Sequence, residues 1–147
     1  MTPDQELLAT AALTSFRLNG RFLALADELA KPVGLTAAWW QVLGAVLHEP
    51  LPVSGIARAM GLTRQSVQRI ADLLVDRGLA TYADNPAHAR AKLVVVTDAG
   101  LAAVRRIDPA HRAAAERLVA ELGEERAREV VGALVELADV MERTEHR

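Results

Sequence analysis

Residues 53–72 read VSGIARAMGLTRQSVQRIAD, and this stretch decides the fold of the chain. Two helices that cross at a steep angle need a small residue at their contact, and Ala57 supplies it. The turn between them needs a residue that tolerates positive φ, and Gly61 lies four positions later. Apolar side chains fill the contact between the two helices: Ile56, Met60, Leu62, Val67 and Ile70. The spacing predicts a helix-turn-helix, with an ordinary helical hairpin as the alternative.

The outward face of the second helix carries polar side chains that suit DNA. Arginine can make two hydrogen bonds to guanine O6 and N7, and glutamine can pair with adenine N6 and N7. Hydroxyl groups near a helix N-terminus suit phosphate oxygens, because the helix dipole favours anions there. The candidate DNA-binding residues of this segment are Ser54, Thr63, Arg64, Gln65, Ser66, Gln68 and Arg69. A solvated helix face is the alternative for each of them.

Two short strands are predicted after Gly78, which ends the second helix. Residues 79–83 and 92–97 have strand-like composition, and the turn signal Asp84-Asn85-Pro86 lies between them. A hairpin with a loop of about eight residues would turn the motif into a winged helix. Its tip offers three basic side chains, His88, Arg90 and Lys92. We expect Arg90 to enter the minor groove and Lys92 to contact phosphate, with an ordinary surface hairpin as the alternative.

Apolar residues at helical spacing predict further helices on both sides of this motif. They cover about 4–30, about 37–48 with Thr36 as the expected N-cap, and a long segment that Thr97 is expected to cap. A last helix follows Gly123, and Glu124 and Glu125 are expected at its N-terminus. Pro109 is expected to kink or interrupt the long segment. The predicted fold class is therefore mainly α (α+β), a winged helix-turn-helix with about six helices and a two-stranded wing.

Composition agrees with a small helical protein and excludes several functions. The chain has 147 residues, of which 28 are alanine and 21 leucine, and it has no cysteine. Disulfides, thiolate metal sites and cysteine nucleophiles are thus excluded. A net charge of −2 argues against DNA binding, but residues 54–92 hold six basic and three acidic groups between acidic ends. With neither a signal peptide nor an apolar run of about 18 residues, a cytoplasmic location is expected.

The sequence resembles the MarR family of bacterial transcription regulators. The resemblance runs from Leu35 to about Leu101 and, in layout, over the whole chain. The residues that carry it are Leu35-Thr36, Trp40, Val42-Leu43, Ile56-Ala57, Gly61-Leu62-Thr63, the run Leu73-Leu74-Val75-Asp76-Arg77-Gly78-Leu79, and Leu93 through Thr97-Asp98-Ala99-Gly100.

The resemblance implies one MarR-type domain, 1–147, that forms a homodimer. The helices at about 1–34 and 101–147 would dimerise, and residues 35–100 would form the DNA-binding lobe. The implied function is that of a transcription regulator, most often a repressor, on palindromic double-stranded DNA.

The resemblance also implies control by a small lipophilic or phenolic ligand. Candidate pocket residues are Phe16, Arg17, Trp39 and Trp40, although Trp40 matches a core position of the family. The wing departs from the family pattern, which usually places an aspartate two residues before the arginine. Here His88 and Ala89 precede Arg90, so the carboxylate that orients the arginine is missing.

Two other functions are weighed against this one. An enzyme is not expected, because the serines lie in no nucleophile elbow and no phosphate-binding glycine pattern occurs. The four histidines, at positions 48, 88, 111 and 146, lack metal-ligand spacing, so neither metal nor cofactor is expected. The second alternative is a winged-helix protein-interaction module without DNA binding.

Overall fold

The computed structural model describes residues 1–145, so His146 lies outside the described residues. Six α-helices and three short strands make up this part of the chain. In order they are α1 (Pro3–Ala30), α2 (Ala37–Ala45), β1 (Leu51–Pro52), α3 (Val53–Met60), α4 (Arg64–Asp76), β2 (Ala80–Ala83), β3 (Leu93–Val96), α5 (Asp98–Leu122) and α6 (Glu124–Thr144). The chain forms two compact units, Met1–Asp108 and the segment that begins at Pro109.

The start of α2 is fixed by two side chains that accept backbone hydrogen bonds. The Thr36 hydroxyl accepts from the Trp39 amide at 3.1 Å, as predicted for an N-cap. Asp27 of α1 accepts from the Ala37 amide at 2.7 Å and so ties α1 to α2. The predicted end of α2 at residue 48 is wrong, because the helix ends at Ala45. Val46 and Leu47 donate to carbonyls three residues back, which tightens the last turn out of α-helical geometry.

The helix-turn-helix is confirmed in α3 and α4. Gly61 has φ +66°, and the amide of Leu62 closes the turn on the carbonyl of Ala57. Four of the six residues predicted to form the contact are fully or almost fully buried: Ile56, Ala57, Val67 and Ile70. The other two, Met60 and Leu62, are partly buried against the same core. They join one core with residues from α2, β2, β3 and α5.

The wing is an antiparallel sheet of three strands, in the order β1-β3-β2. The strands β2 and β3 confirm the predicted hairpin, and Tyr82 pairs with Val94 across it. The strand β1 was missed, because only Leu51 and Pro52 form it. Leu51 also pairs with Val94, on the other edge of β3. A segment of two residues has no periodicity that a sequence pattern could show.

The wing and α5 meet α4 at one backbone junction around Leu79. The Thr97 amide donates to the Leu79 carbonyl at 3.2 Å, and the Thr97 hydroxyl donates to the Gly78 carbonyl at 2.6 Å. The same hydroxyl accepts from the Gly100 amide at 3.1 Å, which confirms Thr97 as the cap of α5. A Cβ on Gly100 would lie 2.0 Å from the Leu79 carbonyl oxygen, so only glycine fits this contact.

The helix α5 continues through Pro109 to Leu122, so the prediction of an interruption there is wrong. Proline removes one backbone donor, and the hydrogen bonds of the neighbouring turns are enough to continue the helix. The predicted kink at Pro109 stays a prediction. Gly123, at φ +85°, separates α5 from α6, and Glu124 and Glu125 stand in the first turn of α6, as predicted. Within residues 1–145, no helix is both long enough and apolar enough to cross a membrane.

We predict that Gly100→Ala destabilises the fold, since the added methyl group collides with backbone that also carries the Thr97 hydrogen bond. The expected loss in free energy of unfolding is about 1–3 kcal/mol or more, measured by denaturant unfolding. Gly44→Ala is the matched control, because a Cβ at this helical position meets nothing within 4 Å. The control should be neutral or stabilising by up to about 1 kcal/mol. Equal stability of Gly100→Ala and wild type would contradict the close approach at Leu79.

Candidate nucleic-acid interface

The first turn of α4 is organised by a pair of hydroxyl groups. The Thr63 hydroxyl accepts from the Ser66 amide at 3.1 Å and donates to the Ser66 hydroxyl at 2.9 Å. The Thr63 hydroxyl therefore caps the helix and the Ser66 hydroxyl holds it in place, whereas the sequence suggested phosphate contacts for both. The other predicted residues of this face, Arg64, Gln65, Gln68 and Arg69, are exposed.

A groove of about 580 Å³ lies between α4, the start of α3 and the wing. We call it the α4–wing groove. Six of the ten predicted DNA-binding residues line it: Ser54, Arg64, Gln65, Gln68, Arg90 and Lys92. Its remaining lining residues are Pro52, Val53, Tyr82 and Ala91. Residues that are up to 40 positions apart in the sequence, Pro52 and Lys92, thus share one surface, and three of the lining residues are basic.

Four of the predicted residues are not among those that line this groove. Thr63 caps α4 and its hydroxyl is bonded to that of Ser66, and Arg69 is exposed on α4. His88 takes part in the wing tip through its backbone, which donates to Asn85 and accepts from Ala91. The DNA contacts of these four residues stay predictions.

The side-chain amide of Gln68 is hydrogen-bonded to other residues of the protein. Its Nε2 atom donates to Asp72 Oδ1 at 3.0 Å and to the Tyr82 hydroxyl at 3.0 Å. The Tyr82 hydroxyl in turn donates a short hydrogen bond to the same Asp72 oxygen. Sequence reasoning missed Tyr82 and Asp72. The spacing of Gln68 and Asp72, four residues apart on a helix, was the available signal for half of this network.

Burial raises the pKa of Tyr82 to about 12, and the hydrogen bond to Asp72 and the negative charge of that carboxylate add to the effect. Asp72 favours the neutral phenol, because a phenolate would face its charge, whereas the hydrogen bond from Gln68 acts in the opposite direction and lowers the pKa of Tyr82. Tyr82 therefore keeps its proton, and with it the hydrogen bond to Asp72, throughout the neutral pH range.

The wing holds one salt bridge. Lys92 Nζ lies 3.0 Å from Asp84 Oδ1, and both side chains are largely exposed. The wing carboxylate therefore pairs with the lysine and not with the arginine. Within residues 1–145 the structure shows no carboxylate paired with Arg90. This arrangement agrees with the missing aspartate at position 88.

The predicted ligand-pocket residues lie in different surroundings. Trp39 and Trp40 are partly buried against the core, and the Arg77 guanidinium lies 5.5 Å from the centre of the Trp39 ring. Phe16 is 70% exposed on α1, next to the exposed Arg17. The ligand pocket stays a prediction.

In the described part of the chain, no three His, Asp or Glu residues are grouped so that they could hold a metal ion.

The matched region of the sequence spans α2, the helix-turn-helix, β2 and the wing loop, and it ends before β3. Residues 33–91 match the family model described as the MarR family. Over these 59 of 147 residues the chain is similar to the MarR family. Proteins of Mycobacterium bovis and Mycobacterium tuberculosis, described as uncharacterized, are 41% identical over 85 residues. The match spans 58% of this chain and 59% of each of these relatives.

Solved structures share the fold over most of the chain. The MarR family transcription regulator SP03579 has a TM-score of 0.77 at 18% identity, and covers 98% of this chain and 96% of its own. BpsR of Bordetella bronchiseptica has a TM-score of 0.75 at 22% identity, and covers 88% and 98%. The DNA binding of BpsR is regulated by 6-hydroxynicotinic acid. The winged-helix fold predicted from the sequence is thereby confirmed.

Tyr82 is the only tyrosine of the chain. We predict that its pKa, followed through the phenolate absorbance at alkaline pH, lies well above that of free tyrosine. Asp72→Asn should lower the pKa of Tyr82 from about 12 part of the way to about 10, because burial remains. Because the folded state keeps this proton longer than the unfolded state, the stability it confers is complete below about pH 10 and is lost towards about pH 12. Asp84→Asn, which removes a wing carboxylate outside this network, is the control. An unshifted Tyr82 in wild type would contradict the hydrogen-bonded network.

Proposed function

We propose that the chain is a DNA-binding transcription regulator that binds duplex DNA through the α4–wing groove. One observation carries the proposal: the groove collects Arg64, Gln65 and Gln68 from α4 together with Arg90 and Lys92 from the wing. A helix with exposed Arg and Gln side chains near its N-terminus can enter the major groove, where base edges present hydrogen-bond donors and acceptors. An arginine on the adjacent wing suits the minor groove and its negative potential.

The chain acts as a homodimer in this proposal. The long helix α1 leaves large apolar side chains exposed, among them Leu7, Leu8, Leu13 and Phe16. In the second unit, α6 has no buried residue, and Leu134, Leu137 and Met141 of its apolar stripe are exposed. Apolar helix faces of this size in an isolated chain are typical of an obligate interface. A two-fold dimer would present two copies of α4 to a palindromic site.

The expected regulatory role is repression in the cytoplasm with release by a small lipophilic or phenolic ligand. The DNA binding of BpsR, which shares this fold, responds to an aromatic acid, 6-hydroxynicotinic acid. The aromatic and basic candidates for such a ligand here are Phe16, Arg17, Trp39 and Trp40. Neither metal nor catalytic chemistry is part of the proposal.

A protein-interaction module without DNA binding is the second candidate. The net charge of −2 favours it, as does the Lys92–Asp84 salt bridge, which neutralises one wing cation. The two functions differ in their dependence on salt, because DNA binding releases counterions from phosphates.

We predict that the full chain binds duplex DNA with an affinity that falls steeply as salt rises, as measured by fluorescence anisotropy. Arg64→Ala should cost about 1–3 kcal/mol on a selected site and relax the preference at one base pair in each half-site. The two half-sites should lie about one helical turn apart. Arg106→Ala, an exposed arginine that does not line the groove, is the matched control and should bind as wild type does. Absence of salt-dependent DNA binding would favour the interaction module, and equal losses on selected and random DNA would mean that Arg64 contacts only phosphate.

We predict an obligate homodimer that buries more than about 2,000 Å². Sedimentation should show a dimer at micromolar concentration, and Leu134→Gln in the exposed stripe of α6 should weaken association or unfold the chain. Glu136→Gln, a polar exchange on the same helix, should not. A folded wild-type monomer at micromolar concentration would overturn this part of the proposal.

A further inference from the structure

A side-chain network joins the wing to the outward face of α4. Gln68 and Asp72 belong to α4, and Tyr82 belongs to β2. Gln68 Nε2 lies 3.0 Å from Asp72 Oδ1 and 3.0 Å from the Tyr82 hydroxyl oxygen. These two oxygens are hydrogen-bonded to each other, so they lie in one direction from Nε2 and share one of its two N–H groups. The second N–H group and Oε1 are left for other partners.

The chemistry of the two oxygens fixes which way the Gln68 amide faces. A carboxylate such as Asp72 only accepts, and the Tyr82 hydroxyl gives its one proton to Asp72. Both oxygens are therefore acceptors towards Gln68. Rotating the amide by half a turn would place Oε1 against two acceptors and lose the hydrogen bond. One orientation of the amide is thus favoured before any base is bound.

A fixed amide discriminates between bases better than a freely rotating one. The edge of each base in the major groove presents its own pattern of donors and acceptors. A free glutamine can turn either an N–H group or its oxygen towards a given position, whereas a fixed one meets only the pattern that suits its orientation. A fixed side chain also loses less conformational entropy when it binds.

We infer that Tyr82 and Asp72 are positioning residues through which the wing sets the base preference of Gln68. This inference rests on the proposed DNA-binding function. Tyr82 lines the α4–wing groove together with Gln68, and Asp72 lies one turn further along α4. The wing then contributes to sequence selection through the protein side of a base contact, in addition to its own basic side chains.

The test is selection of binding sites from a pool of randomised duplex DNA with the full chain. Gln68→Ala identifies the base pair that Gln68 reads, because the preference is lost there alone. Tyr82→Phe keeps the ring, removes one of the two acceptors and releases the hold on Asp72. It should reduce the preference at that base pair by about twofold or more and leave the other base pairs as in wild type.

Asp72→Asn is the second variant and should reduce the same preference more strongly, by up to about tenfold, which corresponds to ordering one flexible side chain. It keeps the side-chain shape, but an asparagine amide can donate as well as accept, and the Tyr82 proton becomes free to turn towards Gln68. Neither partner then fixes the Gln68 amide. Each variant tests the inference by itself if the other does not fold.

Two matched controls separate positioning from general effects. Thr81→Val removes a hydroxyl from the same strand, and neighbouring side chains of a strand lie on opposite faces of the sheet. Asp76→Asn removes a carboxylate from the end of α4, and Asp76 hydrogen-bonds to neither Gln68 nor Tyr82 in the described structure. Both controls should keep the wild-type preference at the Gln68 base pair, because a change of charge alone alters affinity for all sequences alike.

The outcomes separate the inference from the proposed function. If wild type binds no DNA, both are overturned. The inference alone is overturned if Gln68→Ala alters no position, or if Tyr82→Phe or Asp72→Asn folds and keeps the wild-type preference. It is also overturned if these two variants weaken binding to selected and random DNA equally, which is the result expected of a network that only stabilises the wing.

Discussion

The contact on which the rest of the lobe depends is the backbone junction at Leu79. Its carbonyl accepts from the Thr97 amide and lies against Gly100, while the Thr97 hydroxyl binds the neighbouring carbonyl of Gly78. The end of α4, the start of β2, the end of β3 and the start of α5 all meet there. Because a closely packed backbone contact leaves little freedom, the wing is held at one position relative to α4.

The α4–wing groove is a consequence of that position. Tyr82 lies three residues after Leu79 on β2, which brings its hydroxyl to Gln68 and Asp72 on α4. Lys92 immediately precedes β3, the other strand of the hairpin, and lines the same groove. A basic surface thus forms on a chain whose net charge is −2. What such a surface can bind depends on its local electrostatic potential more than on the net charge of the whole chain.

The sequence predicts the features that local chemistry determines. The spacing of Ala57 and Gly61 requires a tight helical crossing and a positive φ, and both are found. The hydroxyls of Thr36 and Thr97 were recognisable as caps for the same reason. Features that depend on distant partners were missed or misjudged. The strand β1 exists only because β3 offers an edge, and Tyr82 reaches Gln68 only after the wing has folded.

The most direct test of the junction is amide hydrogen exchange in Thr97→Val, which keeps the side-chain shape and removes the hydroxyl. Losing this cap and the bond to Gly78 should speed exchange roughly 2–30-fold, as expected for a local loss of about 0.5–2 kcal/mol. The account predicts this increase in the strands β2 and β3 and in the first turn of α5 together, with α1 unchanged. Exchange that increases only at the Gly100 amide, with both strands as protected as in wild type, would contradict it.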